Sequence, residues 1–330
     1  MKNKLLALLA TLSMVASASA VKINNNLSIN GFVDGSWSNS DTDGNDHDNQ
    51  SLGLDEVELN FIVNAGSVSG ELHIDSNNTN PAGGAFDVIA IEQVHFSYNF
   101  SNGVTAQVGR FGSELGLERE DPAGLYTFSR AYTNTDFQLG NIDAYRHEGI
   151  RLSYSADTLS FSVAAFNDVN AIEESNAVNG REDNLDYEFA VGFSGFEGLS
   201  LGAGIIQRNG EDNDLSDPAN AVVDTTITNL TASYTFNKIL FLAEYTTVDE
   251  DSEPELSAYS LIADYDINEK LGIAVRYSEE ETTATTETDS LTIAPNYAIT
   301  SSLGAILEYT ASEVGNNDSD LIAVELTYTF

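Results

Sequence analysis

Five of the eight arginines in this 330-residue chain fall between positions 110 and 151: Arg110, Arg119, Arg130, Arg146 and Arg151. Glu114, Glu118, Glu120, Asp121, Asp136 and Asp143 are interspersed among them. Guanidinium and carboxylate groups facing each other across a narrow aqueous gap would create a transverse field, which sorts solutes by size, charge and polarity. The plainer alternative is an exposed loop that neutralises its own acids.

Other chemistry is sparsely supported. The chain has no cysteine, so it has neither a disulfide framework nor a thiolate metal site. Its four histidines, His47, His73, His95 and His147, sit in no nucleophile motif. Carboxylates are so common that no single pair points to acid–base catalysis, so we expect neither an enzyme nor a cofactor. The segment Asp41-Thr42-Asp43-Gly44-Asn45-Asp46-His47-Asp48 has the look of a calcium loop. It lacks the glutamate at the twelfth position, and no helix is predicted beside it. A solvated acidic loop is the simpler account. Weak divalent binding at Asp41, Asp43, Asp46 and Asp48, bridging loops or lipopolysaccharide, is the alternative.

The elements that position these groups begin after a targeting segment. Lys2 and Lys4 precede an apolar run from Leu5 to Ala16, and Ala18-Ser19-Ala20 supplies small residues for cleavage. Residues 1–20 are therefore expected to be a signal peptide, with a single domain over 21–330. The run is too short for a membrane helix, which takes roughly 20 apolar residues. Beyond it, 11 basic side chains stand against 52 acidic ones, a formal charge of about −41. Such a surface repels nucleic acid. The 14 Tyr and 16 Phe, in regular alternation, argue against disorder.

A period of two runs from end to end. In the last segment Ile322, Val324, Leu326, Tyr328 and Phe330 alternate with Ala323, Glu325, Thr327 and Thr329. Successive strand side chains point to opposite faces, so this segment has one apolar and one polar side. Sixteen such segments can be counted, joined alternately by short turns and by long polar connections near 38–50, 76–86, 112–143, 168–185, 207–223, 247–256, 279–289 and 311–320. An even number of strands, with short turns on one rim and long loops on the other, predicts an all-β transmembrane antiparallel barrel of the bacterial outer membrane, its short turns periplasmic. Pro81, Pro122, Pro218 and Pro254 fall in loops, whereas Pro295, inside a predicted strand, requires either a bulge or a different register there. Tyr245, Tyr277 and Tyr309, 32 residues apart, and Tyr265, Tyr297 and Tyr328 predict two aromatic girdles.

Sixteen strands leave an aqueous channel where eight would be filled by side chains. Inward positions carry Asp34, Glu56, Glu58, Glu71, Asp75, Glu188, Glu244, Asp264, Glu308 and Glu325 against Arg151, Arg208 and Arg276, with His73 and His95 also inward. Acid rings favour cations, so the balance predicts a cation-preferring, water-filled channel for small hydrophilic solutes. A substrate-specific channel and a structural or adhesive barrel without an open pore are the alternatives. The 32-residue connection 112–143 is the expected constriction loop. Arg110 would reach the lumen only through a bulge at Gly109. Expected partners are outer-membrane lipid and lipopolysaccharide, permeating ions and solutes, and the barrel-assembly machinery acting on Phe330. A homotrimer is a further candidate partner assembly at this barrel size.

The stretch Val108-Gly109-Arg110-Phe111-Gly112-Ser113-Glu114-Leu115-Gly116-Leu117-Glu118, followed by Asp121-Pro122 and Tyr126-Thr127-Phe128-Ser129-Arg130, resembles the fifth-strand and constriction-loop region of OmpL-like β-barrel porins. Glu148-Gly149-Ile150-Arg151-Leu152-Ser153-Tyr154 is similar to the strand that follows there. The resemblance implies passive diffusion of small hydrophilic solutes and carries over no catalytic residues. A more distant likeness to phosphate-selective porins conflicts with the placement of Lys22, Lys238 and Lys270, all on the predicted periplasmic side.

Overall fold

The computed structural model describes residues 20–43, 49–77, 89–118, 121–134, 139, 146–167, 185–209, 224–250, 255–283, 286–315 and 317–330. The expected signal peptide lies, but for Ala20, outside them. Alternation becomes strand throughout. The strands are β1 (Val21–Lys22), β2 (Leu27–Thr42), β3 (Asn49–Ala65), β4 (Val68–Asn77), β5 (Ala90–Asn99), β6 (Val104–Gly112), β7 (Arg146–Ser155), β8 (Leu159–Asn167) and β9 (Asp186–Phe196). They continue as β10 (Leu199–Arg208), β11 (Thr225–Phe236), β12 (Ile239–Glu250), β13 (Leu256–Asp266), β14 (Leu271–Thr283), β15 (Thr286–Ala298), β16 (Leu303–Val314) and β17 (Asn317–Thr329). Within the loop after β6, Pro122–Gly124 forms one 3-10 turn.

Each of β2 to β17 pairs antiparallel with its sequence neighbours, and β17 returns to β2, from Ser319 opposite Thr42 to Thr329 opposite Phe32. Gly31 N–H donates to Phe330 O at 3.1 Å and Phe330 N–H returns to Gly31 O at 3.0 Å. The result is a closed sixteen-stranded barrel with β1 as a short spur on β2. Closure pairs the backbone groups that lipid cannot satisfy. Outside, Phe96, Ile150, Leu261 and Leu307 lie exposed in an apolar band. Tyr245 and Tyr309 stand at one edge of it and Tyr265, Tyr297 and Tyr328 at the other.

Three expectations change. The polar connections near 279–289 and 311–320 are mostly strand: β14 runs to Thr283 before β15 starts at Thr286, and β16 runs to Val314 before β17 starts at Asn317. Polarity there marks departure from the bilayer rather than from the sheet, because pairing continues above the apolar band. Pro295 makes no bulge. Ile293 faces Tyr309 and Asn296 faces Ile306 in one unbroken register, with the ladder toward β16 merely interrupted between them. Gly109 makes no bulge either: His95, Gly109 and Gly149 stand in line across β5, β6 and β7.

Real bulges occur elsewhere, at Asp55 in β3 and Glu92 in β5, each an extra residue in its ladder. A bulge re-aims side chains locally. Here both bring a carboxylate to the same stretch of wall.

Inside the barrel the polar face is not uniform. Phe111, Phe166, Ile206, Ile227, Val248 and Ala258 point inward and bury Leu139 of the loop, with Leu115 and Tyr132 packed alongside. Each large apolar side chain removed from water contributes about 1.5–3 kcal/mol. One side of the lumen is thus a small hydrophobic core that accepts the loop.

Candidate pore constriction

The loop after β6 folds into the barrel and is held by the wall's own carboxylates. Glu188 on β9 accepts hydrogen bonds from Ser113 Oγ (2.5 Å) and from Glu114 N–H (3.2 and 3.3 Å). Glu244 on β12 accepts from Leu117 N–H at 3.0 Å and Thr133 Oγ1 at 2.8 Å. Glu308 on β16 accepts from Phe128 N–H at 2.7 Å and Ser129 N–H at 3.2 Å. Asn229 takes Gly116 N–H at 3.2 Å, and Ser278 takes Tyr132 N–H at 2.9 Å. Backbone donors of the loop that no helix or ladder pairs must be satisfied, and charge-assisted acceptors on a rigid wall satisfy them. Three of the ten inward acids are therefore loop anchors first.

Two arginines complete the clamp. Arg151 on β7 donates from Nη2 to Gly112 O (2.7 Å) and Glu188 (3.0 Å), and from Nη1 to Glu114 (3.1 Å). Its guanidinium also lies 4.3 Å from the Phe111 ring centroid. Beside it His147 Nε2 meets Glu188 Oε2 at 2.9 Å while its ring stacks on Phe166 at 3.7 Å. Arg276 on β14 donates to Glu118 (3.0 Å), Thr127 Oγ1 (2.7 Å), Ser129 O (2.6 Å) and Ser129 Oγ (2.7 Å). Glu118 in turn accepts Ala131 N–H at 2.5 Å. Burial raises the Tyr132 hydroxyl above its usual pKa in this setting.

The opposite wall is an acidic patch. Asp34 stands directly opposite Glu56 in the β2–β3 ladder, and Glu58 opposite Asp75 in the β3–β4 ladder. Like charges directly opposite each other destabilise a sheet. Glu325, Glu92 and Asp55 border the patch, and Asp121 reaches it from the loop. Arg130 interacts electrostatically with Glu118, Glu325, Glu56 and Asp121, and Arg146 Nε lies 3.9 Å from Glu92. Burial, then Glu58 and Glu92, push the Asp121 carboxyl well above its ordinary range. His73 bridges Glu58 (3.3 Å) and Glu71 (3.1 Å), with His95 4.0 Å from Glu71.

Most of the expected constriction residues thus converge: Glu114, Glu118, Asp121, Arg130, Arg151 and Arg276 at the loop, with Glu71, His73, His95 and Arg146 on the wall. Arg110 does not. With no bulge at Gly109, strict alternation sends it to the outer face opposite Val94, where it lies 3.8 Å from Glu148. Arg208 pairs with Asp186 at 3.9 Å, away from the loop's anchors. Arg119 and Glu120 lie outside the described residues, as do Asp46 and Asp48. Asp41 is a strand residue facing Asp320, and Asp43 N–H bonds Asp318 O, so this segment begins as strand rather than as a calcium loop. Missed from sequence were His147, Glu92 and the inward apolar patch. Its signal was the doubled apolar Ile205-Ile206, where alternation fails.

A family model described as "Putative beta-barrel porin-2, OmpL-like" matches residues 26–330. The chain belongs to the OmpL-like porin family. Among solved structures, this OmpL-like barrel is similar to the outer-membrane channel DcaP of Acinetobacter baumannii, at 15% identity and TM-score 0.68 over 95% of this chain and 100% of that one. It is also similar to Salmonella typhi OmpF in complex with daunomycin, at 14% identity and TM-score 0.68 over 94% of this chain and 100% of that one. An anion-selective porin from Comamonas acidovorans aligns at 13% identity and TM-score 0.67 over 92% of this chain and 99% of that one. At these identities the likeness shows the porin fold. No curated protein sequence matches the chain.

Proposed function

We propose that this outer-membrane barrel is a passive channel for ions and small hydrophilic solutes, with the loop from Ser113 to Asn134 as its constriction and cations preferred. The observation that carries this is the loop's position: Glu188, Glu244, Arg276 and Glu308 hold it inside the lumen. Toward the short-turn rim, away from the loop, the inward positions of β7 to β11 carry small residues. Ser153, Ser162, Gly192, Gly202, Thr231 and Ser233 remain partly accessible inside the closed wall. The preference for cations rests on the number of carboxyl groups in the patch, Asp34, Glu56, Glu58, Asp75 and Asp121 against Arg130 and Arg146.

The reading includes no catalytic step. It includes cleavage of residues 1–20 on export and recognition of Phe330 during assembly. Planar-bilayer recording under a potassium chloride gradient tests it. Discrete conductance steps with a cation-signed reversal potential are expected. An anion-signed potential would remove the selectivity, and a silent bilayer would remove the channel.

A further inference from the structure

The acidic patch holds more buried charge than its protein partners satisfy. One carboxylate oxygen from each of Glu56, Glu58 and Asp121 lies within 4.8 Å of the other two. Glu58 is fully buried and aimed into this group. Its Oε1 approaches His73 Nδ1 at 3.3 Å, while neither oxygen makes a hydrogen bond among the described residues. Asp34 Oδ1 and Asp75 Oδ1 are likewise buried without a hydrogen bond. For Glu58, His73 is an ion-pair partner of Oε1 alone, and Oε2 is left buried without one; buried charge of this kind is costly unless it is paired or coordinates a metal. Arg130 and Arg146 do reach the patch, but each is shared: Arg130 among Glu118, Glu325, Glu56 and Asp121, and Arg146 among Glu92, Asp75 and Glu56.

Asp121 supplies the second half of the argument. It precedes the Pro122–Gly124 turn in the position where an aspartate usually caps, yet its side chain makes no cap hydrogen bond. The carboxylate is turned instead to the strand wall. We propose that Glu56, Glu58 and Asp121 hold a Ca2+ ion that ties the constriction loop to β3. An all-oxygen, carboxylate-rich set suits a hard cation, and Ca2+–O bonds of about 2.4 Å place two ligands of one ion up to about 5 Å apart. Mg2+ demands shorter bonds and stricter octahedral geometry, which this spacing fits less well. The ion neutralises the wall where two strand ladders set acid against acid, and it fastens the side of the loop that Glu188, Glu244 and Glu308 do not reach. This inference rests on the loop's position and stands whether or not the barrel conducts.

The test uses the full-length barrel, purified in detergent, stripped with a chelator and titrated with calcium chloride by calorimetry. One saturable site is expected. Asp121→Asn, a loop change that leaves the wall intact, should weaken it by about tenfold or more. Asp41→Asn, on the rim, should leave it unchanged. Calcium should also slow proteolysis of the loop in the unaltered protein and not in Asp121→Asn. Carboxylates that merely share protons would give no saturable uptake, and that result overturns the proposal. Equal affinity in Asp121→Asn overturns it too, as does loss of the site in Asp41→Asn. Because Glu58→Gln removes a fully buried wall group, its effect is read only where the variant still migrates as a folded barrel, and undiminished binding there is equally fatal.

Discussion

Arg276 and Glu118 form an ion pair at 3.0 Å, joining β14 to a loop residue 158 positions earlier, with the two side chains about 1% and 6% exposed. Each also holds main-chain atoms of the loop, Ser129 O for the arginine and Ala131 N–H for the glutamate. Removing one member of a buried pair leaves the other uncompensated, at about 3–5 kcal/mol. Arg276→Met should therefore release the middle of the loop while the ladders of β13, β14 and β15 persist. The expected result is faster protease cleavage between residues 113 and 134, together with a larger and noisier single-channel conductance. Unchanged cleavage and conductance would show that the pair does not hold the loop.

Glu308 offers a finer test. Its carboxylate accepts the N–H groups of both Phe128 and Ser129. Glu308→Gln keeps the shape but replaces one acceptor oxygen with a donor, so charge-assisted bonds worth roughly 1.5–3 kcal/mol are weakened. Hydrogen exchange at Phe128 and Ser129 should accelerate, with little change along β16. Equal protection in both forms would contradict the anchoring role.

Arg151 and Arg110 make a paired comparison. Arg151 is buried among Gly112, Glu114 and Glu188, whereas Arg110 faces outward beside Glu148. Arg151→Ala should alter conductance and shift reversal potential further toward cations. Arg110→Ala should leave both as they were, since its 3.8 Å pair with Glu148 lies on the outer face. A permeation change in Arg110→Ala would place it inside after all.

Gly109 has φ +132°, and a Cβ there would lie 2.2 Å from Val94 O. Gly109→Ala combines left-handed strain with a backbone clash in the strand that launches the loop, so a cost of at least about 1–3 kcal/mol is expected. The readout is a lower temperature for loss of the folded band on unboiled gels. No shift would mean the ladder between β5 and β6 accommodates the methyl group.

The strand framework was legible because alternation is a local property that survives in every segment: Ile322 to Phe330 declares its two faces without help from elsewhere. The clustering of Arg130, Glu114, Glu118 and Asp121 was legible too, as charge density in one long connection. Their partners were not. Nothing near Glu188, Glu244 or Glu308 in sequence says that these acids accept backbone amides from residues 74 to 180 positions away. From sequence they counted simply as lumenal charge. Arg110 was carried into the lumen only on a bulge that Gly109 does not make, while the bulge at Asp55 sits beside Gly53 and Gly35 and the one at Glu92 has no glycine or proline near it. Strand ends misled for a related reason, since Thr283 and Val314 remain paired beyond the apolar band.

The order of the loop's anchors along the chain has a consequence for biogenesis. Glu188, Glu244, Arg276 and Glu308 belong to staves that are translated progressively later than the segment they secure, and the seam with β2 involves the last residues of all. Contacts of such wide sequence separation form late and slowly. The constriction therefore cannot be seated in advance and then enclosed. Its seating is instead coupled to closure of the sheet that carries those staves.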